Sequence, residues 1–255
     1  MPSFTPQEML VRARDLAARS GAVEVEVYLE LANYTEARVR QTEVEYLSQS
    51  AIQGLGVRVF VDRKVGFSYT TDIRPNIVDE LVRRTIALAS MNSARDENRL
   101  PDEQLPLLTN LEIYDEAIEA LRPTDVIEYA RKTEGYAFAA DKRIQSTRDA
   151  RAGFAVYQVH FTNSFVPYLT YKSTTCWLGV TAIASDGKMR REGTYGDQRR
   201  ILTDLAVPER VGRKAAERAT AKLGAKPVPT TQAPVIFEPA AAATGKRTPK
   251  ASPSA

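Results

Sequence analysis

The sequence predicts an α+β protein: two domains, each an antiparallel β-sheet with packed helices, then a third domain that opens with a strand and is cut short. Three observations support this. Apolar residues recur at helical spacing, then at every second position, then at helical spacing again, and the whole order occurs twice. Short turn-forming stretches, not helices, join the strand-like runs, which favours antiparallel pairing. Beyond residue 226 one more apolar run appears, with nothing after it to pair with.

The first helix has a clear start. Thr5-Pro6-Gln7-Glu8 reads as a capping box, with proline at the first helical position, where no N–H is needed. Met9, Ala13, Leu16 and Ala17 mark its apolar face, and Gly21 can end it in the left-handed conformation. Val23, Val25, Val27, Leu29 and Leu31 then alternate with Glu24, Glu26, Tyr28 and Glu30, a strand with one buried and one wet, acidic face. A polar strand is predicted over residues 37–47. Another alternation runs through Leu55, Val57, Val59 and Val61, and Asp62-Arg63-Lys64 turns it into Val65, Phe67 and Tyr69. A helix with Pro75 near its start and Val78, Leu81, Val82, Thr85 and Ala89 on one face closes a first domain, residues 1–92.

Residues 93–110 are polar, contain Pro101 and Pro106, and read as a surface linker. The second domain spans residues 111–226. Thr124 can cap a helix to about Ala140, with Val126, Ala130, Thr133 and Ala137 inward. Strand-like runs follow over residues 152–161, 168–184 and 188–199, with turns at Asn163-Ser164 and Asp186-Gly187. Pro208 opens a helix with Val211, Ala215, Ala219 and Leu223 at intervals of four, and Gly224 ends it. Val235-Ile236-Phe237, within residues 227–239, reads as the first strand of the third domain. Residues 240–255 are too poor in large apolar side chains to pack, and read as a disordered tail.

Composition narrows the function classes. No apolar run approaches the roughly 18–20 residues of a membrane span, and the N-terminus lacks the plan of a secretory signal. A lone cysteine, Cys176, rules out an internal disulfide and favours a reducing cytoplasm. Lys246, Arg247 and Lys250 in the tail account for the formal net charge of +3, so the body is neutral. Basic pairs such as Arg83-Arg84 and Arg190-Arg191 have acids nearby. Both facts argue against a nucleic-acid partner.

Three segments resemble the TldD/PmbA family, once called modulators of DNA gyrase, and within it the PmbA (TldE) branch. The first runs from Gly54 to Asp62, Gly-Leu-Gly-Val-Arg-Val-Phe-Val-Asp, and on through Val65 to Asp72. The second is the Thr162-Asn163-Ser164 turn with the strand Thr181 to Gly187. The third runs from Val211 to Ala219, through Leu223-Gly224-Ala225-Lys226 to Ala233-Pro234-Val235-Ile236-Phe237-Glu238-Pro239. The resemblance implies cytoplasmic subunits that pair, either as a heterodimer with a TldD-like chain or as a homodimer. It implies zinc in the TldD-like partner, a peptide or small unfolded protein as substrate, and for a PmbA-type chain a metal-free supporting role in proteolysis. The sequence departs from the family after Pro239, where the third domain should continue, and at Arg63, where relatives often carry glycine.

The residues offer little chemistry of their own. A hydrolytic zinc site needs about three His, Cys or carboxylate ligands, and the TldD-type arrangement is His-Glu-x-x-x-His. This chain has a single histidine, His160, so that motif cannot exist here. No catalytic, cofactor-binding or metal-ligating residue is therefore assigned, and no cofactor is expected in this chain. His160 and Cys176 lie in adjacent predicted strands and could pair as base and nucleophile, but an ordinary strand histidine and a small buried thiol are the simpler reading. Gly54-x-Gly56 lacks the rest of a phosphate loop. Glu43 and Glu45 could be an acid/base couple, or more simply a solvated face. Trp177, Tyr168 and Tyr171 could line a peptide groove, or more simply fill a sheet core. Open sheet edges could take up an extended peptide. The rival to a peptidase subunit is a non-enzymatic regulatory binding module of gyrase-modulator type.

Overall fold

A computed structural model of the protein describes residues 4–101 and 111–244. In chain order it contains α1 (Pro6–Arg19), β1 (Glu24–Arg40), β2 (Glu43–Val61), β3 (Lys64–Thr70), α2 (Pro75–Met91) and α3 (Glu116–Glu119). Next come α4 (Pro123–Ala140), β4 (Ile144–Asn163), β5 (Leu169–Ser185), β6 (Arg190–Arg199), α5 (Pro208–Thr220) and α6 (Pro239–Thr244). The six strands form one antiparallel sheet, ordered β3-β2-β1-β4-β5-β6. The α+β class with helices packed on antiparallel sheet is what the sequence periodicities predict.

The α1 start follows the capping box: the Glu8 carboxylate accepts the Thr5 N–H at 2.8 Å, and the Thr5 hydroxyl accepts the Glu8 N–H at 3.2 Å. Gly21 takes a positive φ of 98° after the helix. The odd-numbered residues of β1 feed two cores on one side of the sheet. Val25, Val27 and Leu29 pack with Leu55, Val57, Val59 and the inner faces of α1 and α2. Ala37 and Val39 pack with Leu178, Val180, Val211, Ala215 and the inner face of α4. Each fully buried Val or Leu contributes roughly 1.5–3 kcal/mol through removal from water. Residues to Leu223 form one compact unit, and the division into domains at residues 1–92 and 111–226 is retained as a proposal. The sheet itself runs across both, through the β1–β4 ladder.

Several expectations are corrected. The polar strand expected over 37–47 is the tip of a hairpin: β1 ends at Arg40 and β2 starts at Glu43. Gln41 and Thr42 make the turn with φ of 51° and 67°. Such backbone costs roughly 1–2 kcal/mol per non-glycine residue. Glu134 of α4 offsets this. Its buried carboxylate accepts the N–H groups of Gln41 at 2.8 Å and Thr42 at 2.7 Å, together with the Thr147 hydroxyl. Thr124 lies inside α4, not at its cap; the Arg122 N–H is held by Asp125 at 2.9 Å. The linker is anchored in part, since Leu100 is buried and its N–H donates to Glu24; residues 102–110 lie outside the described residues.

No strand forms at Val235-Ile236-Phe237. These side chains are exposed, Ile236 at 98%, and extended coil leads into the short helix α6 where the tail was expected to be unstructured. The rest of the tail lies outside the described residues. The described residues from Gly224 onward belong to a different unit from the body, Met1–Leu223.

Candidate functional site

Strand pairing fixes which side chains share a face. Tyr28 lies opposite Phe161 and Gly56, Glu30 opposite Val159 and Gly54, and Ala32 opposite Tyr157 and Ile52. Val159 pairs with Tyr171 and Gly153 with Trp177. All of these lie on the side away from the helices. Val65, Phe67 and Tyr69 of β3 lie there too, and Phe67 and Tyr69 are 60% and 72% exposed. The face is rich in aromatic rings, and none of the described helices α1 to α5 covers it.

One concavity on it is a hollow of about 580 Å³ over β1, β4, β5 and the end of β6. Tyr28, Tyr157 and Tyr171 supply aromatic walls, with Glu30 beside them and Arg199 and Arg200 at the far side. The Tyr28 hydroxyl donates to the Glu30 carboxylate at 2.9 Å. Burial and that bond push the Tyr28 phenol up. Burial, then the contact with Tyr34, pushes Tyr157 to about 12. Both phenols therefore stay protonated at neutral pH. The rings of Tyr34 and Tyr157 meet edge to face, with centroids 5.6 Å apart. Arg199 is paired with Asp197 at 3.0 Å, which tempers the positive charge at that end. A second hollow of about 510 Å³ adjoins it along β5 and β6, bordered by Trp177 and Arg151 over the bare backbone of Gly179 and Gly196.

Aromatic walls, one carboxylate, hydroxyls and guanidinium groups can hold a chain by stacking and hydrogen bonding. The other sequence candidates stand elsewhere. His160 faces the opposite side: it is 3% exposed, and its Nδ1 is 2.6 Å from the Tyr168 hydroxyl. Tyr168 stacks on that ring and takes no part in the hollow. Cys176 is buried, its thiol pushed up to about 11 by burial, and it donates weakly to the Arg199 carbonyl at 3.7 Å. Cys176 pairs with Phe154 while His160 pairs with Thr170. Six residues of strand, roughly 20 Å, separate them, so they form no catalytic pair. Glu43 and Glu45 are exposed, and Glu45 pairs with Arg40 at 3.1 Å. Gly56 lies beneath the Phe67 ring, and Gly54 faces open space within β2; neither shapes a phosphate loop. Among the described residues no three His, Cys, Asp or Glu side chains gather to hold a metal ion.

The order of strands and helices around this face can be set against known proteins. Residues 25–89 match the model of PmbA/TldA metallopeptidase domain 1, and residues 116–223 match that of the PmbA/TldA metallopeptidase central domain. The chain belongs to the PmbA/TldD family. It is 29% identical over 236 residues to Metalloprotease PmbA of Escherichia coli O157:H7, covering 91% of this chain and 51% of that one. It is 28% identical over 219 residues to the Metalloprotease PmbA homolog of Buchnera aphidicola, covering 84% and 48%. The chain thus spans about half the length of these curated relatives. Among solved structures, the fold matches a candidate modulator of DNA gyrase from Bacteroides thetaiotaomicron, with a TM-score of 0.77, 23% identity and coverage of 89% and 52%. It also matches TldE from Thermococcus kodakarensis, with a TM-score of 0.71, 17% identity and coverage of 83% and 47%.

A metallopeptidase family implies a metal, and the donors among the described residues do not fit one. The one imidazole is committed to Tyr168 under the helices, and the carboxylates near the hollow are not grouped. No step of hydrolysis is assigned to this chain.

Proposed function

We propose that this chain is the metal-free, PmbA-type subunit of a peptidase assembly. Its open sheet face holds a peptide or small unfolded protein while a zinc-bearing, TldD-like partner cuts it. That partner is a TldD-like subunit, pairing with a second copy is the alternative assembly, and the setting is the cytoplasm. The observation that carries this reading is the uncovered face itself, with hollows bordered by Tyr28, Glu30, Tyr157, Tyr171 and Trp177. Family membership supports the link to proteolysis. The residue inventory, with one histidine in the whole chain, supports leaving the metal to the partner. No helix among the described residues is long and apolar enough to cross a membrane.

The test is anisotropy of a fluorescent unstructured peptide titrated with the chain alone. Binding is expected, and Tyr171→Ala, which removes a ring already 39% exposed, should weaken it about tenfold with an unchanged melting temperature. Binding indifferent to Tyr171→Ala and Glu30→Gln would move the site off this face. Purified chain that kept stoichiometric zinc and cut the peptide unaided would overturn the subunit reading. Salt-sensitive DNA binding by the body would favour the regulatory module instead.

A further inference from the structure

The outer edge of β2 points to a partner. β3 covers only Leu55–Val61 of that strand, whereas β2 begins at Glu43. Residues 43–54 therefore bond to β1 on one side and, among the described residues, to no strand on the other. This free stretch is long for a sheet edge. It has no proline or lysine, and its only charges, Glu43 and Glu45, lie at the hairpin end. Tyr46, Leu47 and Ile52 are 47%, 44% and 54% exposed along it. From Tyr46 onward the edge is uncharged and carries exposed apolar side chains, which makes it a template for another strand.

We propose that this edge pairs with the same edge of a second copy of the chain, antiparallel about a twofold axis at Gln49. In that register Ser48 meets Ser50, Leu47 meets Ala51 and Tyr46 meets Ile52, each pair occurring twice. Opposed residues have the same parity, so each pair lies on one face of the combined sheet. Tyr46, Leu47 and Ile52 each gain an apolar neighbour, Val44 meets Gly54, and no like charges are opposed. Centring on Ser48 would set Tyr46 against Ser50, and centring on Ser50 would set it against Gly54, so Gln49 is the favoured centre. An axis normal to the sheet keeps both open faces on the same side. The pairing takes from the subunit reading only its expectation that the chain assembles with others, and places a second copy at this edge.

Cysteine cross-linking of the whole chain tests the register. Directly opposed antiparallel residues lie about 4.5–5.5 Å apart at Cα, within disulfide range. Gln49 is exposed and Cys176 is buried, so the native thiol stays silent. Gln49→Cys should form a covalent dimer on mild oxidation. Ser48→Cys mixed with Ser50→Cys should cross-link more than either alone. Ile52→Lys should weaken self-association about tenfold or more in sedimentation, because it enters the interface twice, and should leave the melting temperature unchanged. A chain monomeric at every concentration, or Gln49→Cys that cross-links only after a different subunit or a peptide is added, would overturn the proposal. Peptide cleavage is not read in this experiment, so its failure and the failure of the subunit reading are separable.

Discussion

The two faces of this sheet are built from the same six strands and solve opposite problems. On the covered face, small residues and branched aliphatics admit helix backbones. Gly66 lies so close to α2 that a Cβ there would come 2.2 Å from the Thr85 carbonyl oxygen, and one at Gly193 would come 2.1 Å from the Ala219 nitrogen of α5. On the open face, tyrosines, a tryptophan and scattered charges stand over bare backbone, and Gly54 has nothing within 4 Å of where a Cβ would be. Packing is thus concentrated on one side, while the residues with hydrogen-bonding chemistry stand on the other. A fold that fixes its geometry on one face leaves the other free to carry function.

The sharpest way to break this comparison is to add one methyl group to each face. Gly193→Ala forces α5 away from β6, since the clashing atoms are backbone and cannot turn aside. Overpacking of this kind costs about 1–3 kcal/mol or more, enough to lower the melting temperature by several degrees. Gly54→Ala should change stability by less than about 1 kcal/mol. Equal losses at both positions in denaturant titrations would mean that the faces are not so unlike.

Much of this division can be read in the sequence, and its failures are instructive. The capping box at Thr5, the alternation from Val25 to Leu29 and the turns at Asp62-Arg63 and Asp186-Gly187 depend on neighbours in the chain, and these were legible. The turn at Gln41-Thr42 was not, because neither residue signals a turn and its acceptor, Glu134, lies 92 residues from Thr42. Alternation names two faces but not which one is covered. Val65, Phe67 and Tyr69 are the more apolar side of β3, yet Gly66 faces the helix, because only a residue without a side chain admits α2 so closely. Tyr171 and Trp177 were recognisable as groove candidates. Tyr28, Glu30 and Tyr157 were not, since they converge only through the β1–β4 register. Val235 to Phe237 shows the reverse error: an apolar run whose side chains remain exposed.

Glu134 sharpens the comparison from the covered side, where it is the one fully buried acid among the described residues. Glu134→Ala leaves the Gln41 and Thr42 N–H groups and the Thr147 hydroxyl without their acceptor. Hydrogen bonds to a charged group are worth about 1.5–3 kcal/mol each, and solvent entering at the exposed turn recovers part of that. A net loss of about 2–4 kcal/mol is expected. Faster amide exchange confined to residues 41–42 and their flanks should accompany it. Loss of stability without local exchange at this turn would assign Glu134 a different role.

The smallest effect concerns His160, another buried ionisable group under the helices. Its Nδ1 meets the Tyr168 hydroxyl, while its Nε2 is buried without a hydrogen-bond partner. Burial lowers its pKa, so the folded state favours the neutral ring. Arg14 of α1, itself paired with Asp15, donates to the Thr162 hydroxyl at 3.1 Å. The unfolded chain, with histidine near 6.5, binds the proton more readily. Below that value the unfolded state therefore takes up more protons, and stability falls as pH drops from about 7 through 6.5 toward the lower folded value. Melting temperatures should decline over that interval before the carboxylates titrate, and His160→Phe should flatten the decline. Parallel pH profiles for the two proteins would show that the orphaned ring nitrogen has no energetic consequence, and that the covered face tolerates a polar atom as easily as the open one.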